Sequence, residues 1–203
     1  IAEPNGWIET RDDAEVIQWE KPEKGAILAI CFYEKKPDLP TIRFVEVLRG
    51  FYRKSVAQSN GGLVEVDIIK INEVSTSKTI FKFPQEPTGM AYIASLIIPF
   101  KRFSFVIKTQ AYEGGITGMR DSFVANQFLK EQKDKSGEFG MEGWFRDPYD
   151  RFFTGGTLMN LSEQRKYDDQ FPDHPLSIVR GIIDKLESQI TFNEDVEKAR
   201  LFG

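Results

Sequence analysis

The stretch GMAYIASLIIPFKRFSFVIKTQ, residues 89–110, decides the fold class. Its first half is an almost continuous apolar run and its second half alternates apolar with polar residues, and both patterns are typical of β-strands. Turn signals at 99–102 separate the halves, and so short a connection favours an antiparallel pair. Phe103, Phe105 and Ile107 share one face of the second strand, as expected where that face covers a core.

Strand patterns continue towards the N-terminus from this stretch. LVEVDIIKI (63–71) and KTIFKF (78–83) precede it, with turn signals at Asn72 and Pro84. Three more short runs, separated by DD and KPEKG, open the chain: GWIETR, EVIQWE and GAILAICFYE. We therefore predict an α+β fold with a single antiparallel sheet of about six or seven strands and helices packed on it.

Two internal segments have the period of amphipathic helices. The first is predicted to begin after Asp38 as N-cap, to end near 60–62, and to bury an apolar stripe: Ile42, Val45, Leu48, Tyr52 and Val56. The second is predicted from Thr117 to about Gln132, with its buried face formed by Met119, Phe123, Val124 and Phe128.

Composition limits the possible function classes. A formal net charge of −4 and a pI near 5.3 argue against a nucleic-acid partner. The longest apolar stretch is too short and too interrupted for a membrane span.

The chain is predicted to be one folded domain over 1–203 with an irregular insert at about 136–173. A cytoplasmic location is expected, with an exported form that lost a signal peptide before Ile1 as the alternative.

The glycine-rich stretch YEGGITGMRD, residues 112–121, lies between a predicted strand and a predicted helix. Backbone N–H groups there could converge on an anion at the helix N-terminus. The candidate ligand-binding residues are Glu113, Gly115, Thr117, Gly118 and Arg120. The stretch lacks the Lys-Ser/Thr ending of a P-loop, so a simple turn is favoured, with Thr117 capping the helix and Glu113 or Asp121 paired with Arg120.

The residues that usually carry catalysis are scarce. His174 is the only histidine, and it or Asp173 is predicted to cap a terminal helix at 174–190 that begins with Pro175. Cys31, the single cysteine, lies in an apolar strand where burial makes a thiol inert. No catalytic residue, cofactor or metal site is predicted.

The insert at 136–173 is rich in aromatic and acidic residues. Its acids have no recognised metal-ligand spacing and are expected to be solvated or salt-bridged. Its aromatic side chains either cover the core, which is the favoured reading, or form a contact patch. The candidate partner-binding residues are Trp144, Phe145, Asp147 and Tyr149.

The order of three strands, a helix, four strands and further helices resembles the PsbP-like proteins, an α/β/α sandwich family. The resemblance covers roughly 7–132, and 89–110 looks like the paired late strands of that family. The helix at 174–190 would be the second covering helix. The resemblance implies an interaction role without catalytic residues, and it transfers no site residues.

Two hypotheses follow from these patterns. The first is a non-enzymatic protein-binding module, either an assembly factor or an immunity-type protein, that contacts an unidentified protein partner through the insert. The alternative is a small anionic-ligand binder or enzyme that uses the glycine turn at 113–121. Contact between the turn and the insert would unite the two candidate regions in one site.

Overall fold

A seven-stranded antiparallel sheet dominates the computed structural model, which describes residues 6–136 and 140–202. Its strands are β1 (Ile8–Asp12), β2 (Val16–Lys21), β3 (Ala26–Tyr33), β4 (Gly62–Ile71), β5 (Val74–Pro84), β6 (Met90–Pro99) and β7 (Ser104–Tyr112). Their order across the sheet is β1-β2-β3-β7-β6-β5-β4. The predicted strands and their antiparallel pairing are confirmed, including the β6–β7 hairpin.

Helices and a small ribbon complete the fold. The α-helices are α1 (Val45–Gln58), α2 (Met119–Ser136), α3 (Pro175–Gln189) and the short α4 (Glu194–Glu197). The insert contains the ribbon β8 (Phe145–Arg146) with β9 (Met159–Asn160), and 3-10 turns at Leu161–Glu163 and Arg165–Gln170. Across 6–136 and 140–202, no helix is long and apolar enough to cross a bilayer.

Helix α1 begins later than predicted. Its N-cap is Phe44, which makes no side-chain capping bond, so the prediction of Asp38 as N-cap is wrong. The Thr41 hydroxyl accepts a hydrogen bond from the backbone N–H of Arg43 at 3.0 Å, and this local turn competes with helix formation. Ile42 is buried as predicted, although it precedes the helix.

The two faces of the sheet are covered by different helices. α3 packs on β3, β6 and β7 and closes the larger core, whose buried members include Leu28, Ile80, Leu96, Val179 and Ile183. On the opposite face α1 covers β4 and its neighbours through Leu48 and Tyr52. The result is the predicted helix–sheet–helix sandwich, in which α1 leaves β2, β3 and β7 open on its side.

A close backbone crossing fixes the middle of the insert above the α1–β4 turn. The Thr157 N–H donates to the Gly61 carbonyl at 3.0 Å. A Cβ on Gly62 would lie 1.8 Å from the Thr157 carbonyl oxygen, and one on Gly156 would lie 2.3 Å from the Gly61 oxygen. Since Gly156 also has a φ of 66°, only glycine fits both the space and the backbone there.

Candidate functional site

The glycine turn joins β7 to α2 and is organised around the carboxylate of Glu113. One carboxylate oxygen accepts a hydrogen bond from the Met90 N–H at 2.9 Å, and the other accepts one from the Gly118 N–H at 3.1 Å. Gly115 and Gly118 both adopt left-handed backbone angles, with φ of 66° and 73°. The chain thus supplies its own carboxylate at the start of α2, where a bound anion would otherwise accept from backbone N–H groups.

His174 connects the turn to α3. Its Nδ1 accepts from the Leu176 N–H at 3.2 Å, which confirms the predicted capping role and places the ring proton on Nε2. Nε2 lies 3.4 Å from a Glu113 oxygen. Burial raises the pKa of Glu113, but the contact with His174 and the two backbone N–H donors outweigh it, so its pKa lies below the ordinary glutamate value.

Arg120 is buried in the first turn of α2, with 1% of its surface exposed. Its guanidinium donates to the Ser162 carbonyl at 2.8 Å, to the Ser177 hydroxyl at 2.9 Å and to the Asp168 carboxylate at 2.9 Å. The prediction that Arg120 pairs with Glu113 or Asp121 is therefore wrong. The reason is that this face of α2 packs against the 3-10 turns of the insert, which supply better acceptors.

Thr117 does not take the predicted capping role on α2. Its hydroxyl lies 2.6 Å from the Thr88 hydroxyl, so it ties the glycine turn to the β5–β6 connection. The Gly118 carbonyl instead accepts from the Ser122 N–H, and Gly118 donates to Glu113. The turn is therefore held by Glu113 rather than by a helix-capping hydroxyl.

A cleft of about 340 Å³ lies between the turn and the loop that precedes α3. Its lining includes Tyr112, Glu113, Ile116, Met119, Phe171 and His174. Ile116, Met119 and Phe123 are 81%, 62% and 53% exposed, so the predicted burial of Met119 and Phe123 is wrong. The Phe123 ring lies edge-on to that of Phe171, with centroids 5.7 Å apart. We call Ile116, Met119, Phe123 and Phe171 the turn patch.

The aromatic half of the insert contributes mostly interior residues. Trp144 is 3% exposed and packs against Phe128 of α2, with ring centroids 5.7 Å apart. Asp147 is also buried and accepts from Arg53 at 3.0 Å. Of the four candidate partner-binding residues, Phe145 is the one with a largely exposed side chain, at 59%.

Tyr149 anchors this half of the insert to the sheet. Its hydroxyl accepts from the Val66 N–H at 2.8 Å, and the Arg49 guanidinium lies 3.8 Å from the ring centroid. Burial is the main reason why the pKa of this phenol is raised. These contacts fit the favoured interpretation of the aromatic residues as core cover.

The structure brings the glycine turn together with the second half of the insert, whereas the aromatic half does not line the cleft. Arg120 contacts the 3-10 turns, and 170–175 forms the opposite wall of the cleft. Sequence reasoning missed Phe171 as a site residue. It also missed the turn patch, although an isoleucine and a methionine inside a glycine turn are a visible departure from ordinary turn composition.

Comparison with known proteins yields a likeness of fold. No protein-family model and no curated protein matches the chain. The Ran-binding protein Mog1p of Saccharomyces cerevisiae is similar at a TM-score of 0.40 and 12% identity over 62% of this chain and 76% of that one. A protein of Bacteroides thetaiotaomicron matches at a TM-score of 0.34 and 11% identity, over 68% of this chain and 58% of that one.

The cyanobacterial PsbP of Synechocystis is also similar, at a TM-score of 0.39 and 11% identity over 66% of this chain and 82% of that one. A PsbP is thus among the structures similar to this chain, as the predicted resemblance to PsbP-like proteins implies. At these scores and identities, the likeness assigns neither an activity nor a partner to this chain.

Proposed function

We propose that this chain is a protein-binding module whose contact surface is the turn patch with the cleft beside it. The observation that carries the proposal is the exposure of Ile116, Met119 and Phe123, each more than half open to solvent on one short segment. Clustered large apolar side chains on a surface mark interaction sites far more often than isolated ones do.

The turn patch is also held rigidly, which lowers the entropy cost of binding. Glu113 ties the turn to β6 and α3, and Arg120 ties the first turn of α2 to the insert. The partner expected here presents an apolar side chain that enters the cleft between Ile116 and Phe171, with further apolar contacts to Met119.

Binding is favoured over catalysis because the histidine, the glutamate and the arginine at the cleft already have partners. Nδ1 of His174 caps α3 and its Nε2 faces Glu113, while Arg120 donates to three parts of the chain. A small anionic ligand at the glycine turn remains the alternative proposal. It would have to displace the Glu113 carboxylate from Gly118.

Affinity capture with matched variants tests the proposal. The double variant Ile116→Ser/Met119→Ser removes two exposed residues of the turn patch. The control Phe145→Ser/Phe152→Ser removes two residues of the insert's aromatic half that are 59% and 78% exposed. We expect one stoichiometric protein, captured from lysate of the native organism by wild type and by the control, to be lost with the turn-patch variant.

Other outcomes would point to a different contact surface or to a small ligand. Loss only with the control variant would move the interface to the insert's aromatic half. Capture that survives both variants would exclude both surfaces. A rise in melting temperature with inorganic phosphate that becomes larger in Glu113→Gln, which lacks the competing carboxylate, would favour the anionic-ligand alternative if capture is also empty.

A further inference from the structure

A second surface lies on the side of the sheet that α1 leaves open. There, β2, β3 and β7 form a groove of about 240 Å³. Its floor is apolar and includes Val16, Ile27, Ala29 and Cys31. Its polar lining consists of Gln18, Gln110, Tyr33 and two cations, Arg11 and Lys108.

Lys108 is unusual among the cations of the described chain. It is half-buried in the middle of β7, between Ala29 of β3 and Ser95 of β6 in the strand register. Within 6–133 and 140–202, each other lysine or arginine that is buried or half-buried has a carboxylate within 4.0 Å: Lys21, Arg49, Arg53, Lys78, Lys82, Arg120 and Arg180. No described carboxylate lies within that distance of Lys108.

The stem of Lys108 lies in the groove, but its ammonium group is not buried, so its charge is open to water and to a partner's carboxylate. No acid lines the groove, although the whole chain has a net charge of −4. Arg11, the other cation of the groove, pairs with the exposed Asp13 at 2.5 Å. The group that the groove lacks is therefore a carboxylate opposite Lys108.

The shape of this surface favours a protein over a small molecule. Small ligands are usually enclosed on most sides, whereas this groove is the open face of a sheet. On the same side of the sheet, α1 and its N-cap have exposed apolar residues: Phe44, Val47 and Phe51 are 66%, 53% and 38% exposed. They lie on the side of α1 opposite Arg49 and Arg53, which reach towards β4 and the insert.

We propose that this open face docks a segment of a partner protein that places an Asp or Glu side chain against Lys108. Apolar residues on both sides of that acid would contact the floor of the groove at Val16 and Ile27. The carboxylate would complete the ion pair that the other buried cations have. This interface is separate from the turn patch and does not depend on the proposed function.

Selection from a phage-displayed library of random decapeptides tests this proposal, with the whole chain immobilised. Lys108→Gln keeps most of the side-chain length and removes the charge. Lys185→Gln, on an exposed part of α3, is the matched control. We expect enriched peptides to share an acid flanked by apolar residues, and to bind Lys108→Gln at least about tenfold more weakly than wild type or the control.

Amide chemical shifts then locate one selected peptide, synthesised with its acid and with the matching amide. The acidic form should perturb Ala29, Cys31 and Gln110 and leave the turn patch unchanged. Enrichment without an acid, equal binding to Lys108→Gln, or perturbation confined to the turn patch would overturn the proposal. So would groove perturbation by hexanoate when no peptide is enriched, because that result would indicate a small-molecule site.

Discussion

At the residue scale, Glu113 and His174 connect three separate parts of the chain. Glu113 follows β7, accepts from the start of β6 and from the start of α2, and faces the histidine that caps α3. Two short side chains therefore fix the position of the cleft. The hydrogen bonds to Glu113 are strengthened by the negative charge of its carboxylate. The stability of this region therefore depends on pH.

Glu113→Gln should weaken the acid dependence of stability. The pKa of Glu113 is lowered in the folded state, so its stabilising effect is fully present above the unfolded value of about 4.3 and is lost as pH falls through the folded value. We expect the variant to lose about 1–2 kcal/mol of unfolding free energy at pH 7, because its amide cannot accept from both backbone donors.

Urea unfolding of both proteins between pH 7 and pH 3 measures this effect. The gap in unfolding free energy between wild type and Glu113→Gln should shrink below about pH 5. A gap that is constant or grows towards low pH would show that the Glu113 carboxylate does not contribute through its charge.

At the element scale, α2 shows where sequence reasoning succeeds and where it fails. The existence of the helix follows from its period, and Val124 is buried as predicted. The buried stripe, however, runs through Arg120, Val124 and Phe128, one position on from Met119 and Phe123. A prediction that buries only apolar residues places part of the buried face of α2 one residue too early. The sequence does not show that Asp168 neutralises the buried Arg120.

Across the rest of the chain, features that depend on neighbours in sequence could be predicted, and contacts between distant residues could not. The strands and the His174 cap depend on neighbours in sequence, and they were predictable. The partners of Arg120 and Tyr149 lie more than 40 residues away, and no local pattern specifies them. Phe171 was missed as a member of the turn patch for the same reason, since it comes from the far end of the insert.

Arg120→Met should detach the second half of the insert from α2. The substitution leaves Asp168 with fewer partners and leaves the Ser162 carbonyl without its guanidinium donor. We expect a loss of about 3–5 kcal/mol in unfolding free energy, as is typical when one member of a buried ion pair is removed. Arg120→Lys should recover only part of it, because an ammonium cannot reproduce the planar set of donors.

Hydrogen exchange of the amides in 161–170 provides the second readout for this variant. Faster exchange confined to that segment and to the start of α2 is expected. A loss below about 1 kcal/mol with unchanged exchange would show that the insert is held by other contacts.

At the scale of the whole molecule, buried charges bind the insert to the sheet. Lys82 of β5 and Glu163 of the insert are 2% and 1% exposed and lie 2.7 Å apart, and the Tyr92 hydroxyl donates to the same carboxylate at 2.8 Å. Burial and the nearby Glu163 charge raise the pKa of Tyr92 well above its ordinary value. Separating the insert from the sheet would expose Lys82 and Glu163 to solvent or leave one of them buried without its partner.

Unfolding should therefore be a single cooperative transition. Trp144 reports on the insert, and Trp19, which is 1% exposed, reports on the core of the sheet. We expect the fluorescence of Trp144→Phe, which retains Trp7 and Trp19, and that of Trp19→Phe to change at the same midpoint as their own far-ultraviolet circular dichroism. A Trp144 transition that precedes the circular dichroism change would show that the insert unfolds separately.

The crossing of Gly156 over Gly61 and Gly62 bears on how chains of this kind diverge. Neither backbone leaves room for a methyl group on the other, so the positions form one steric unit. Among descendants of a common ancestor, those that keep the long excursion after α2 should keep glycine at both 62 and 156. In chains that have lost this segment, position 62 no longer needs to be glycine. Glycine at 62 should thus accompany the long segment after α2, and this pairing offers a sequence test for which distant chains share the arrangement.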